Sequence, residues 1–393
     1  MSSRYLFPSC IDLVNPDTHS GENLVGIFRG LRQKSPIYWY ERDEKRFWVV
    51  LGNKLGTDIL KRPDIFSSKY GNVIDTLLSG GDPAGGKMLA VSEGKRHKEV
   101  RIFLAKYFKL ANFRDHTASL PSNCIERLKD LTELSQVDII SDYAKYIPLD
   151  VISSIMGITD VGMKEELYYL ANKSLSDLND ESLSVYYRRQ FIYLLSQYLS
   201  TLSPGNMVHD LQRSDLELST EELIYNCYSL FIGGEETTRL TIGRMFYEFA
   251  TDKMLWRQFK AQRHSCEQAA DEFLRVGCSA LHVARTVVAD CDFQGIRMRE
   301  GDVVSIWHQS TNYDEEVFSD PYSIDLLRTP NRHLSFSSGP HVCLGANLAK
   351  YEIASALEAA RSCLGDIELV CDPEHLRSNF LHGYSQLKVK LCQ

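Results

Sequence analysis

The ten residues Phe336–Gly345, "FSSGPHVCLG", place Cys343 between Gly339 and Gly345, with His341 two residues before it. The run that follows at once, "ANLAKYEIASALEAARSCLG", is rich in strong helix formers. A thiol at the start of a helix lies near free backbone amides and the positive end of the helix dipole, and both favour the thiolate. The loop therefore predicts a chemically active cysteine.

Two roles for Cys343 remain open on the residues alone. A nucleophile needs a base, and only His341 is close in sequence, while no separate pairing of a histidine with an asparagine stands out. A zinc site needs several Cys or His ligands, but no two of the ten cysteines lie closer than eight residues. One thiolate suffices for a metal whose other ligands come from a porphyrin.

The bulk composition bounds the class of protein. The chain has 393 residues, is 44% hydrophobic and 24% charged, and carries a net charge of -8. The acidic balance disfavours a nucleic-acid partner, and no apolar window approaches the length of a membrane span or follows the pattern of a signal peptide. We expect a cytoplasmic protein whose other nine cysteines are reduced. Because no linker interrupts the chain, we expect one domain over residues 1–393.

Helical periodicity dominates the chain, with two exceptions. Short strands are predicted at 37–40 and 47–51, and a second strand-rich region at 283–306. The longest helix should begin at a capping box formed by Ser219 and Glu222 and continue for some seven turns. The pattern predicts a mainly α protein with small β-sheets.

The segment "GGEETT", residues 233–238, interrupts the long helical pattern. Two glycines inside a helix cost about 1 kcal/mol each relative to alanine. They favour either a close helix crossing or a local opening of the backbone ladder that makes room for a small ligand. In the second case Glu236 and Thr237 would place a carboxylate and a hydroxyl there as a proton relay.

Two further pairs are weak signals alone. Glu272 and Arg275 are three residues apart on one helix face, which by itself indicates a surface ion pair worth under about 1 kcal/mol. His97 and Arg101 are four residues apart within the basic stretch Lys95–Lys109. That stretch is a solvated charged face, an anion site or a docking patch for an acidic protein.

Together these motifs resemble the cytochrome P450 family. "FSSGPHVCLG" fits the haem-ligand loop F-x-x-G-x-[HR]-x-C-x-G, and "GGEETT" resembles the oxygen-binding segment small-Gly-x-acid-Thr. "EFLR" matches the E-x-x-R pair, and "HKEVR" resembles the haem-propionate motif H-x-x-x-R. The motifs occur in the family's order, and the likeness extends from about residue 37 to the end, closest to the soluble bacterial branch. It implies the P450 fold, with haem between a long central helix and the cysteine loop.

The resemblance implies a role for each matching residue. The proximal thiolate ligand of haem b would be Cys343. The cations that hold the haem propionates would be His97, Arg101, Arg285 and His341. The residues that shape the ligand loop would be Phe336, Gly339 and Gly345. Gly233 and Gly234 would leave room for O2. Glu236 and Thr237 would deliver the protons needed for O–O cleavage. A buried structural network, costly to break, would join Glu272, Arg275 and Arg328. The substrate pocket would include Phe231, Leu281, His282, Val283 and Tyr384.

The implied reaction is monooxygenation, in which one oxygen atom of O2 enters a small, largely apolar molecule of secondary or xenobiotic-type metabolism. Electrons would come from a ferredoxin and its reductase, docked on the basic Lys95–Lys109 face of a monomer. The alternatives are a peroxide-driven or oxidative-coupling haem-thiolate enzyme and a haem-binding sensor without turnover. The acid–threonine pair favours dioxygen activation over both. Two departures from the family pattern are Ser337, where glycine is usual, and Ser92-Glu93-Gly94, where Asp-Pro-Pro is usual.

Overall fold

A computed structural model describes residues 5–20, 23–176, 181–201, 204–261 and 265–393. The α-helices are α1 (Asn23–Arg32), α2 (Asn53–Leu60), α3 (Ile74–Leu78), α4 (Gly94–Ala105), α5 (Leu110–Thr117), α6 (Leu120–Thr132), α7 (Tyr146–Met156), α8 (Val161–Ser176), α9 (Glu181–Leu199), α10 (Met207–Gln212), α11 (Thr220–Thr251), α12 (Lys253–Ala261), α13 (Cys266–Gly277), α14 (His308–Thr311) and α15 (Ala346–Cys363).

The strands are β1 (Ile37–Arg42), β2 (Lys45–Val50), β3 (Phe66–Ser67), β4 (Val137–Asp138), β5 (His282–Val287), β6 (Cys291–Phe293), β7 (Ile296–Met298), β8 (Val303–Trp307), β9 (Asp366–Leu369), β10 (Glu374–His375), β11 (Tyr384–Gln386) and β12 (Lys388–Cys392). Short 3-10 turns lie at Pro16–His19, Leu89–Val91 and Gly339–His341, and a π-helical turn at Ile139–Ala144. The prediction of a mainly helical protein with small sheets is confirmed, as are both predicted strand regions.

The largest sheet has five strands in the order β1-β2-β8-β5-β3. β1 and β2 form an antiparallel hairpin, β2 runs parallel to β8, and β8 is antiparallel to β5. A three-stranded sheet has the order β4-β12-β9, and β6-β7 and β10-β11 are two-stranded. The large sheet matters for the site because its inner strand β5 carries Arg285, which faces Val304 of β8 in the register.

α11 is the central helix of the fold. Its 32 residues span about 48 Å, and the capping box of Ser219 and Glu222 that was predicted at its start is confirmed. The helix continues through "GGEETT", so the predicted opening of the backbone ladder is wrong. A Cβ on Gly234 would lie 2.9 Å from Ile152 of α7, which makes this glycine a close helix crossing. A Cβ on Gly233 would have nothing within 4 Å, so this residue borders open space.

The main apolar core joins α11 to α13 and α15, and it includes Phe246, Phe249 and Phe273. Phe249 lies 5.2 Å from the ring of Phe273 in an edge-on contact. Because α15 packs against both α6 and α13, its N-terminus is fixed in place. The cysteine loop ends at that N-terminus, so the core determines where Cys343 lies.

Candidate functional site

The backbone of the loop before α15 requires glycine at position 339. Gly339 has φ of 72°, and a Cβ there would lie 2.4 Å from the carbonyl oxygen of Leu60. Only glycine avoids both the left-handed strain and that clash. The amide of Cys343 donates to the carbonyl of Phe336 at 2.8 Å, which closes the loop. Ser337 also has a left-handed φ, 60°, and this explains why glycine is usual at its position.

Cys343 is accessible at its surface, yet desolvation by the surrounding protein raises the pKa of its thiol. Both facts fit a side chain that faces an enclosed space rather than the outer surface. The sequence predicted that helix amides would favour the thiolate, and the amide of Gly345 does act in that direction. The amide of Gly345 and the charge of Arg101 lower the pKa, and desolvation outweighs them. A bound cation at the sulfur would therefore be needed to hold it as thiolate.

Four basic side chains lie near this loop, namely Arg101, His97, His341 and Arg285. Arg101 of α4 donates through Nη2 to the carbonyl of Val342 at 2.6 Å, beside Cys343. The rings of His97 and His341 lie 4.2 Å apart. Burial, and then the charges of His341 and Arg101, lower the pKa of His97 to about 4.

Two of these basic groups lack an acidic partner among the described residues. Nε2 of His97 is buried without a hydrogen-bond partner in that part of the chain. Arg285 is 2% exposed, and its hydrogen bond within the described residues goes to the carbonyl of Ala284 at 2.8 Å. Burial lowers the pKa of Arg285 to about 10, although the charge of Glu93 opposes this. Such groups are unfavourable in a folded protein unless an anion reaches them.

Glu93 is a member of this cluster that sequence reasoning did not assign to the site. Its carboxylate lies 3.2 Å from Nε2 of His341 and accepts a hydrogen bond from the amide of Ser68 at 2.9 Å. Although Glu93 is the N-cap residue of α4, its side chain does not cap the helix. Burial raises the pKa of Glu93, but the contacts with His341 and Ser68 outweigh it and lower the pKa. The available signal was the departure at Ser92-Glu93-Gly94.

The arrangement fits the expected haem. A flat macrocycle with two carboxylates would give His97 and Arg285 the anions that they lack. The described residues contain no group of three or more His, Cys, Asp or Glu that could hold a metal by themselves. A metal at Cys343 would thus take its remaining ligands from a bound cofactor.

The open side of α11 carries Gly233 and, one turn later, Thr237. Gly233 is exposed within the long helix, and Thr237 is half-buried. The i, i+4 spacing places them on one face. Glu236 lies about 100° around the helix from Thr237, and its Oε2 lies 2.5 Å from Arg239 while its Oε1 accepts from Asn172 of α8 at 3.3 Å.

Sequence reasoning missed two other buried acids, one on α11 and one on α15. Glu235 is fully buried beside Arg239, and Glu352 of α15 is buried with Oε1 unpaired among the described residues. Burial raises the pKa of both, and the hydroxyl of Thr238 moderates the effect at Glu352. In the sequence, a buried acid of this kind could have been predicted from an acidic residue whose neighbours on the same helix face are apolar.

The E-x-x-R pair forms a buried network. Arg275 donates through Nε and Nη2 to the two carboxylate oxygens of Glu272 at 2.8 and 2.7 Å. Arg328, from the segment before the cysteine loop, donates through Nε to the same carboxylate at 3.2 Å. This network ties α13 to the segment that leads into the cysteine loop.

The five expected pocket residues are buried or half-buried. Phe231 is enclosed against Phe191 of α9 at 5.4 Å. His282 accepts the amide hydrogen of Ile74 at Nε2, so this nitrogen is occupied by the fold. The ring of Tyr384 packs 5.0 Å from that of Tyr247. Leu281 is fully buried, and Val283 is partly exposed.

Comparison with known proteins agrees with this architecture. A family model described as Cytochrome P450 matches residues 199–360. Cytochrome P450 NovI of Streptomyces niveus is 33% identical over 392 residues, covering 97% of this chain and 96% of the relative. Linalool 8-monooxygenase of Pseudomonas putida is 26% identical over 405 residues, covering 97% and 98%. The crystal structure of P450 OxyD, described as involved in the biosynthesis of vancomycin-type antibiotics, is 25% identical with a TM-score of 0.88, covering 97% of this chain and 99% of that one.

One property of the helices bears on membrane attachment. Within the described residues, none of the helices combines the length and the apolar character that crossing a bilayer requires.

Proposed function

The chain belongs to the cytochrome P450 family, and we propose that this haem-thiolate monooxygenase acts on a small, largely apolar molecule of secondary metabolism with electrons from a ferredoxin. The observation that carries the proposal is the exposed Cys343 in a loop bonded to Arg101 and next to the paired rings of His97 and His341, with Nε2 of His97 unpaired among the described residues. The apolar substrate is supported by the name of the relative linalool 8-monooxygenase. Secondary metabolism is supported by the description of P450 OxyD.

The chain's own residues hold and orient the cofactor. Cys343 would hold the haem iron through its thiolate, and the haem would supply the activation of O2. Arg285 and His97 would pair with the haem propionates, and His341 is held in place by Glu93 and by the hydroxyl of Ser68 at 3.2 Å. Phe336 packs against the core beside the ligand loop and limits the access of water to the sulfur.

On the open side of α11, Gly233 would leave room for O2 because its position borders open space. The hydroxyl of Thr237 lies on the same helix face and donates a hydrogen bond to the bound ligand. Glu236, the next residue around the helix, returns a proton to that hydroxyl.

The docking face for the redox partner is α4. Lys98 and Lys106 are exposed on it, and the side chain of Ile102 between them is 68% exposed. Arg101 joins this helix to the carbonyl of Val342, so the face lies next to the cysteine ligand. Arg96 takes no part, because it bonds Glu222 at 2.7 Å. An acidic ferredoxin complements such a face electrostatically.

The decisive test of the haem-thiolate assignment is the difference spectrum of the reduced, CO-bound protein. The wild-type protein should show the band of a thiolate-ligated haem, and Cys343→Ser should abolish it. Cys371→Ser, at another exposed cysteine, is the matched control and should leave the spectrum unchanged. A histidine-type spectrum, or no haem at all, would overturn the assignment.

The docking proposal is tested by charge reversal. The double variant Lys98→Glu and Lys106→Glu should lower ferredoxin-driven turnover severalfold while peroxide-driven turnover persists. Lys45→Glu with Lys390→Glu makes the same charge change on exposed lysines of the sheets and should have little effect. Equal loss of both kinds of turnover in the α4 variant would contradict docking on this face.

A further inference from the structure

Two consecutive acids of α11 are buried against a single cation. Glu235 is 0% exposed, and Glu236 and Arg239 are each 1% exposed. Nε of Arg239 lies 3.3 Å from Oε1 of Glu235, and its Nη2 lies 2.5 Å from Oε2 of Glu236. Neither acid forms an ion pair with any other cation in the part of the chain that the structure describes.

The group formed by Glu235, Glu236 and Arg239 needs one added proton to be electrically neutral. Arginine stays protonated, so two ionised acids would give the buried group a net charge of -1. Neither carboxyl oxygen of Glu235 has a hydrogen-bond partner within the described ranges. A buried, unpaired negative charge is unfavourable, whereas one added proton makes the group neutral.

The neighbouring helix α8 offers no compensating charge. Tyr168 places its ring 5.9 Å from the guanidinium carbon of Arg239, and Asn172 donates to Glu236. Lys145, which lies 5.2 Å from the ring of Tyr168, pairs with Glu165 at 3.0 Å, so these two charges neutralise each other. Burial, and then the charge of Glu236, raise the pKa of Glu235 well above its usual value.

We propose that Glu235 and Glu236 share one proton, and that Glu235 is a second acid on the path that delivers protons to Thr237. This inference rests on the proposed function. The family motif has an acid and a threonine, and Glu235 occupies its variable position in this chain.

The helix geometry gives the order of transfer. Successive side chains are about 100° apart around α11, so Glu235 and Thr237 lie on nearly opposite faces with Glu236 between them. The O–H bond of the Glu236 carboxyl breaks and an O–H bond forms at Oγ1 of Thr237, which gives its own hydroxyl proton to the bound ligand. The pair, now fully ionised, takes up one proton from solvent at Glu235, and that proton passes to Glu236 before the next delivery.

Infrared spectroscopy tests the shared proton without turnover. At neutral pH the haem-loaded protein should show the C=O stretch of protonated carboxyl groups, one of which belongs to the Glu235–Glu236 pair. Glu235→Gln and Glu236→Gln should each abolish that band, because the remaining acid then pairs one-to-one with Arg239. Glu352→Gln should remove a separate band from the other buried acid. A band that survives both Glu235→Gln and Glu236→Gln would overturn the proposal.

Glu248→Gln is the matched control, because Glu248 pairs with Arg244 at i, i+4 spacing on the same helix. It should leave the carboxyl bands unchanged. Glu235→Gln should also keep the wild-type melting temperature, because glutamine has the shape of the neutral acid. A large loss of stability would show that Glu235 is ionised in the native protein and would count against the shared proton.

Oxygen reduction tests the delivery role. With NADPH, a ferredoxin and its reductase, O2 consumed without added substrate divides between hydrogen peroxide and water, and water formation needs protons delivered inside the site. Glu235→Gln should raise the peroxide share severalfold, and Glu248→Gln should not. An unchanged share in Glu235→Gln would overturn the delivery role. A wild-type protein without the thiolate-type CO spectrum would instead contradict the proposed function itself.

Discussion

Replacement of Glu272 by glutamine probes the network that supports the cysteine loop. Glu272 is 0% exposed and accepts from Arg275 and Arg328, from the amide of Asp325 at 2.9 Å and from Asn331 at 3.1 Å. Glutamine keeps the shape of the side chain but removes the negative charge that two enclosed guanidinium groups share. Breaking a buried pair in this way costs about 3–5 kcal/mol.

The lower end of that range is expected for Glu272→Gln, because Arg275 keeps three main-chain acceptors. These acceptors are the carbonyl oxygens of Asn312, Pro321 and Ser323, at 2.7–3.2 Å. A loss of about 3 kcal/mol is large beside a total stability of about 5–15 kcal/mol. It should lower the midpoint of urea unfolding, measured by circular dichroism at fixed haem concentration.

Asp64→Asn is the matched control for Glu272→Gln. Asp64 also pairs with an arginine, accepting three hydrogen bonds from Arg62 at 2.7–3.2 Å, but this pair lies in solvent. Exposed pairs contribute little, so the control should leave the urea midpoint nearly unchanged. A shift for Glu272→Gln as small as that of the control would refute the reasoning that burial makes this network important.

Three further outcomes follow from single sites. Arg285→Met should leave the haem-free protein at least as stable as wild type, because burial of an unpaired guanidinium is unfavourable. The same variant should lose haem to a scavenging protein at least tenfold faster. Slower haem loss than in wild type would contradict a propionate role for Arg285. Ser337→Gly should stabilise the protein by up to about 1 kcal/mol, because left-handed backbone strain of about 1–2 kcal/mol exceeds the entropy cost of glycine. The control Ser337→Ala should give no increase in the melting temperature. The bond from Arg96 lowers the pKa of Glu222 to about 2, so its stabilisation is fully present above about pH 4.5 and is lost as the pH falls toward 2. The stability difference between wild type and Glu222→Gln should therefore shrink over that range, and a constant difference would exclude this linkage.

The local elements of this protein were readable from the sequence because they depend on short-range chemistry. The capping box at Ser219 needs only the side chain three residues later, and the hairpin of β1 and β2 follows from alternation around a charged turn. The cysteine loop could be recognised for a similar reason. Its glycines satisfy backbone demands that lie within ten residues, together with one close approach at Leu60.

What the tertiary structure decided is which side chains share an environment. Glu93 joins His341 across a sequence separation of 248 residues, and no periodicity can report such a contact. The two faces of α11 are a second case. Sequence predicted Phe231 as a pocket residue, and only the fold packs its ring against Phe191 of another helix. The same packing encloses Glu235 with Arg239, and only burial converts an ordinary helical acid into one that must share a proton. Short-range patterns determined the elements, while desolvation and charge pairing, which depend on the whole fold, decided what those residues can do.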